Sequence, residues 1–137
     1  MKVNFEIEEN YAVVLNKRHI DLHNNFKFLD FNKSSNGYYL NFIKSEGDWV
    51  NQNEFKKLTF NFINVKNHYI QESMNNDFPE DENILSTITF FPQDQKTNHF
   101  YYIAQSLPKE NDDIIFVFEN EKVFRFSCDK VELKTFE

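Results

Sequence analysis

The pattern of apolar and polar positions centres on a stretch late in the chain, from Asp112 to Leu133, DDIIFVFENEKVFRFSCDKVEL. Two runs dense in β-branched and aromatic residues, IIFVF and VFRFSC, flank the polar break Glu119-Asn120-Glu121-Lys122. That pattern predicts a β-hairpin. Ile114, Phe116 and Phe118 fall on one side of the first strand, and Phe124, Phe126 and Cys128 on one side of the second. Ile115, Val117, Val123 and Val131 take the opposite sides. Apolar residues on both faces place these strands inside the protein rather than at a solvated edge. A tight turn here needs φ > 0 near residue 121, where glycine would be unstrained and Glu121 is not.

The same period of two runs through much of the remaining chain. Lys2 to Glu8 sets Val3, Phe5 and Ile7 against Lys2, Asn4, Glu6 and Glu8, a half-buried strand. Tyr11 to Leu15 continues it after a break at Glu9-Asn10, and Asn16 to Asp21 reads as polar and irregular. Phe26 to Phe31 and Tyr38 to Ile43 are strands joined through residues 32–37, where Asn36-Gly37 is the strongest turn dipeptide. Lys44 to Lys57 is a polar loop, and Leu58 to Val65 resumes strict alternation. His68 to Met74 fits either a strand or a short helix. Asn75 to Asn83 is an acidic loop, Ile84 to Phe91 and His99 to Ala104 read as a further hairpin, and Lys109 to Asp113 as an acidic break.

Roughly eight or nine short strands at this spacing predict an all-β fold, predominantly antiparallel: a β-sandwich or partly closed barrel with one or two short helices. With no linker or repeat, residues 1–137 read as a single β domain. The 17 phenylalanines supply the core material, and Phe60, Phe62, Phe116, Phe124 and Phe126 are the residues expected to be buried. The opening MKVNFEIEEN has no apolar segment or cleavage site of a secretory signal, and no apolar run approaches the roughly 20 residues of a transmembrane helix. The expectation is a cytoplasmic protein without a membrane partner.

Charge narrows the partners. The 22 acidic residues outnumber the 15 basic ones, a formal charge of -7. A polyanion must be met by clustered Lys and Arg, so direct nucleic-acid binding is disfavoured, and an acidic surface suits solubility or a basic protein. Candidate chemistry is thin. Cys128 is the only cysteine, so neither an internal disulfide nor a Cys-based zinc site can form, and its place in a strand marks it as a small buried hydrophobe. His19 and His23 lie four apart in HIDLH, but Ile20 occupies the position where a zincin carries glutamate, and spacing fixes no third ligand. Gly37 and Gly47 stand alone, without a phosphate-cradling loop, and Ser, His and Asp occur without a nucleophile elbow. The expectation is no enzyme, no catalytic residue, no metal and no cofactor.

What stands out instead is Trp49, the only tryptophan, in a loop with Glu46, Asp48 and Glu54. It can plug one end of a sandwich or anchor an interface, since tryptophan is enriched where an apolar face meets a polar rim. Further acids cluster at Asp77, Glu80, Asp81 and Glu82, and at Glu110, Asp112 and Asp113. If these loops share an end with Trp49, they form an acidic, aromatic-anchored surface for a basic protein.

The order of Leu22-His23-Asn24, the strands FKFLDF and YYLNFI, a Trp loop, LTFNFINV and the closing hairpin with Cys128 resembles bacterial immunity proteins of polymorphic and contact-dependent growth inhibition toxin systems, the Imm50-like group. Two positions depart from that pattern: Asn24 stands where the group has an acid, and Glu121 where it has a turn glycine. The resemblance implies a cytosolic toxin inhibitor that binds and occludes one cognate toxin, in many cases a nuclease, with no catalytic residues of its own. Two other classes remain open at this stage. A β-barrel carrier of an apolar small molecule would need a Phe-lined internal cavity, and an enzyme would need a cleft of convergent, perturbed groups.

Overall fold

The computed structural model describes residues 1–35, 37–73, 83–95 and 102–137. Its elements are β1 (Lys2–Val3), β2 (Glu6–Glu8), β3 (Ala12–Leu15), β4 (Arg18–Asp21), α1 (Leu22–Asn25), β5 (Phe26–Ser34), β6 (Gly37–Lys44), β7 (Lys57–Gln71), β8 (Leu85–Pro92), β9 (Asp112–Phe118) and β10 (Val123–Phe136). They form a large open sheet in the order β5-β6-β7-β10-β9-β8, antiparallel along that path, and a small meander β2-β3-β4. The short β1 adds a parallel pairing to β10. The fold is therefore all-β and predominantly antiparallel, and the large sheet does not close into a barrel.

The sheet nevertheless curls on itself. Phe28, on the edge strand β5, lies 5.2 Å ring to ring from Phe118 and 5.5 Å from Phe124, on strands that are not its neighbours in the sheet. The meander packs into this curl through Phe5, Ile7, Val13 and Ile20, and Phe5 meets Phe60 at 5.5 Å. All five phenylalanines expected in the core are buried there. Their rings fill the interior against one another, with Phe60 and Phe116 at 5.1 Å and Phe62 stacked on Phe126 at 4.0 Å.

The final hairpin forms as the alternation predicts, with Phe124 opposite Phe116 and Phe126 opposite Ile114. Its turn is type I followed by a bulge: the Glu121 N–H donates to the Phe118 carbonyl, the Phe118 N–H to the Lys122 carbonyl, and Glu121 sits at φ 71. The positive φ demanded at residue 121 is thus carried by a glutamate. Ile115, Val117 and Val123 form a second apolar cluster with Phe91 on the outer face.

Val131 departs from the predicted side and lies fully buried in the main core. Asn64 at φ 56 kinks β7, and beyond it the inward positions change from Phe62 to Val65 and, on β10, from Cys128 to Val131. The Asn64 amide and the Lys66 ammonium bind Asp129 at this kink and hold its carboxyl below the usual range.

Three other expectations change. Residues 16–21 are not irregular: Asn16 and Lys17, at φ 52 and 67, make a two-residue turn that pairs β4 with β3 and buries Ile20. A strand with one inward residue offers too little alternation to be read. β7 continues as strand through Gln71, while Met74 lies outside the described residues. β8 pairs with β9; of residues 99–104, expected as its hairpin partner, 99–101 lie outside the described residues, and the described remainder is no strand. Ile103 instead runs beside β8, its N–H donating to Thr89 Oγ1 at 3.1 Å. Asn36, from the predicted turn dipeptide, is also outside the described residues.

Cys128 is buried in this core, and burial pushes its thiol up to about 12 from an ordinary 9.0. The thiolate fraction at neutral pH then falls about a thousandfold. A thiol reagent at pH 8 should label the native protein far more slowly than the urea-unfolded chain; equal rates would place the sulfur at the surface.

Candidate binding surface

Residues 45–56 leave β6 and return at β7, and their shape is set by a short platform before β5. Asp21 caps α1: one carboxylate oxygen accepts from the Asn24 N–H and the other from the Asn24 amide, both at 2.8 Å. The carbonyls at the end of α1, which have no intrahelical donor, serve the loop. The Ser45 N–H donates to the Asn25 carbonyl at 2.9 Å, and the Trp49 indole N–H to the Asn24 carbonyl at 2.9 Å.

A second clasp holds the far side. Arg18 on β4 donates to Glu54 at 3.1 Å and to the Asn53 carbonyl at 3.0 Å, and its guanidinium stacks 3.8 Å over the Phe55 ring. Glu54 also accepts from the Phe55 N–H at 3.0 Å, and its side chain is only 8% exposed. Loop and platform are therefore cross-linked at both ends.

Between the clasps Trp49 lies across Gly47, so closely that a Cβ at Gly47 would come within 2.1 Å of the indole. Glycine is needed at 47 for that approach. Even so, Trp49 is 70% exposed. Its polar N–H is satisfied, one side rests on backbone, and the rest faces solvent.

The acids predicted to surround it divide by environment. Glu46 and Asp48 are exposed and make no ion pair or hydrogen bond among the described residues. Glu54 is a correction: it is the bracing partner of Arg18, not a surface acid. Asp112 and Asp113 are likewise corrected, since both are buried in β9. Asp112 accepts from Gln105 at 2.6 Å and from the Lys109 N–H at 2.8 Å; Asp113 pairs with Arg125 at 2.7 Å. Glu110 is exposed but remote along the sheet. It precedes Asp112, which pairs with Pro92, whereas His23 on α1 meets Leu85 at the other end of β8, seven residues back and roughly 23 Å of strand. Asp77, Glu80, Asp81 and Glu82 lie outside the described residues.

Sequence reading missed Arg18, Asp21 and Asn24, which position the tryptophan. The spacing Asp21 to Asn24 is a capping signal that could have flagged α1. His23 extends the platform: its Nδ1 lies 2.6 Å from the Leu85 carbonyl and 3.8 Å from Glu119. His19 faces Glu8 at 3.1 Å, so the two histidines of HIDLH serve different partners. Among the described residues no group of three or more His, Cys, Asp or Glu is placed to hold a metal ion, and no helix is long and apolar enough to cross a membrane.

No family model, no curated protein and no solved structure matches this chain.

Proposed function

We propose that this chain is an immunity protein that neutralises a cognate toxin by covering a basic face of it with the Trp49 loop. The observation that carries the reading is the exposure of Trp49 on a braced loop, with the free carboxylates of Glu46 and Asp48 beside it in the chain. An anchor already held in one place loses little freedom on docking. Unpaired acids attract a basic partner and speed its approach. The order of the Leu22-His23-Asn24 element, the Trp loop and the Cys128 hairpin supports the immunity class, and the ring-filled interior favours a surface binder over a carrier.

The test is co-expression with the product of the adjacent gene. Wild-type protein should restore growth to cells making that product, and Trp49→Ala should not. Purified, Trp49→Ala should raise the Kd about thirtyfold, mainly through faster dissociation. Asp48→Lys should slow association at low salt, with the difference fading toward 1 M salt, where the Debye length is about 3 Å. Unchanged rates in both variants would put the interface elsewhere, and a non-toxic neighbouring product would remove the immunity reading.

A further inference from the structure

One row on the outer face of the large sheet carries charge opposite in sign to that of the chain as a whole. Phe26, Phe28, Phe42, Leu58 and Leu133 are buried in the core, so the residues that alternate with them face outward. The register then sets Lys27, Ile43, Lys57 and Phe136 side by side across β5, β6, β7 and β10. At the usual strand spacing this row is about 14 Å long. Ile43 and Phe136 are each 44% exposed, Lys27 is exposed, and the Lys57 ammonium lies 5.4 Å over the Phe136 ring. Asp30 and Glu132 face outward too, but both are engaged. The Asn41 and Asn32 amides hold the first at 2.7 and 3.1 Å, and Lys130 and Lys134 share the second at 3.3 and 3.9 Å.

The loop of opposite character leaves from this same row. Residues 45–56 join the strand of Ile43 to that of Lys57, and the Lys56 N–H donates to the Phe136 carbonyl at 2.8 Å. At this end the sheet therefore presents exposed Trp49, with exposed Glu46 and Asp48 beside it in the chain. An indole accompanied by carboxylates suits an ammonium set between two apolar side chains, in charge and in polarity. A surface that holds both halves side by side can be complementary to itself through a two-fold rotation.

We propose that this end of the sheet is the contact surface of a two-fold pair of identical chains. Trp49 of each copy lies between Ile43 and Phe136 of the other, and its Asp48 meets Lys57 there. A nucleic acid or an anionic membrane would reach the same lysines, but it would also face the acids of the adjoining loop and the net charge of -7. A second copy turns those acids into the attraction. At physiological salt the Debye length is about 8 Å, so charges in contact outweigh the like net charges of the two copies. The pairing does not rest on the toxin reading, and it sets a second copy and a basic partner in competition for one loop.

Sedimentation velocity of the full chain at physiological salt should show a monomer–dimer equilibrium, with a Kd on the order of tens of micromolar for so small a contact. Trp49 is the only tryptophan, so its fluorescence should move to shorter wavelength as the dimer forms. Lys57→Glu and Asp48→Lys should each raise that Kd about tenfold, by setting like charges face to face. Combined in one chain, they should return it toward the wild-type value. Lys109→Glu makes the same change of charge at an exposed site elsewhere and should leave the equilibrium unaltered. A protein that stays monomeric, assemblies larger than two, or a dimer with unmoved tryptophan emission would each overturn the proposal. So would a double variant no better than the singles, or an equal effect of Lys109→Glu.

Discussion

Replacing Phe116 with alanine should lower stability by about 3–5 kcal/mol, as expected for removing a fully buried ring. Phe116 is 0% exposed and meets Phe60 at 5.1 Å, Phe62 at 5.9 Å and Phe42 at 6.5 Å. These rings come from β6, β7 and β9, so the vacated volume is walled by strands that hydrogen bonds already hold in place. Such a site cannot collapse, and the cavity adds to the lost transfer energy. Against a total of roughly 5–15 kcal/mol for a domain, the loss is a large share. Denaturant unfolding should show the midpoint falling steeply, whereas Phe136→Ala, at a residue 44% exposed, should stay within about 0.5 kcal/mol. A Phe116→Ala protein that unfolds with the wild type would mean that these rings do not pack as described.

Asp113→Ala should cost nearly as much, by a different mechanism. Asp113 and Arg125 meet at 2.7 Å with side chains 7% and 15% exposed. Arg125 also donates to the Pro92 and Gln95 carbonyls, each at 3.1 Å, and lies over the Phe91 ring. Removing the carboxylate leaves a guanidinium in the outer apolar cluster without its counter-charge, a loss of about 3–5 kcal/mol when one partner of a buried pair is deleted. The pair itself need not be stabilising. One Asp113 oxygen is buried without a hydrogen-bond partner, which already counts against it. Combining Asp113→Leu with Arg125→Met should therefore recover most of the loss. A double-mutant cycle by denaturant unfolding measures this directly. If Asp113→Ala alone changed stability by less than about 1 kcal/mol, the carboxylate would have to be solvated.

Both residues mark where sequence reading succeeded and where it stopped. Phe116 was legible because it sits in the unbroken β-branched and aromatic run IIFVF, and a strand buried on both faces must be apolar throughout. Asp113 was not. It sits in a polar break beside Glu110 and Asp112, and nothing local separates a solvated acid from one paired with an arginine 12 residues on. Glu54 shows the same limit at longer range, since its partner Arg18 is 36 residues away on a strand too short to announce itself. The Trp49 loop was half legible: the tryptophan and its acids were visible, but the platform holding it was not, because the indole's bond to the Asn24 carbonyl and the Arg18–Glu54 clasp join residues 25 and 36 apart.

The sequence by itself determined the all-β class, the closing hairpin with its strained turn at Glu121, and the phenylalanines of the core. Each follows from local alternation or from the backbone conformation a short turn requires. Tertiary structure alone decided which acids face water, that Val131 turns inward, and that β5 folds over β10. Those outcomes depend on a kink at Asn64 and on partners distant in sequence. One residue of slip in a strand exchanges its faces, and only the assembled sheet fixes where that slip occurs.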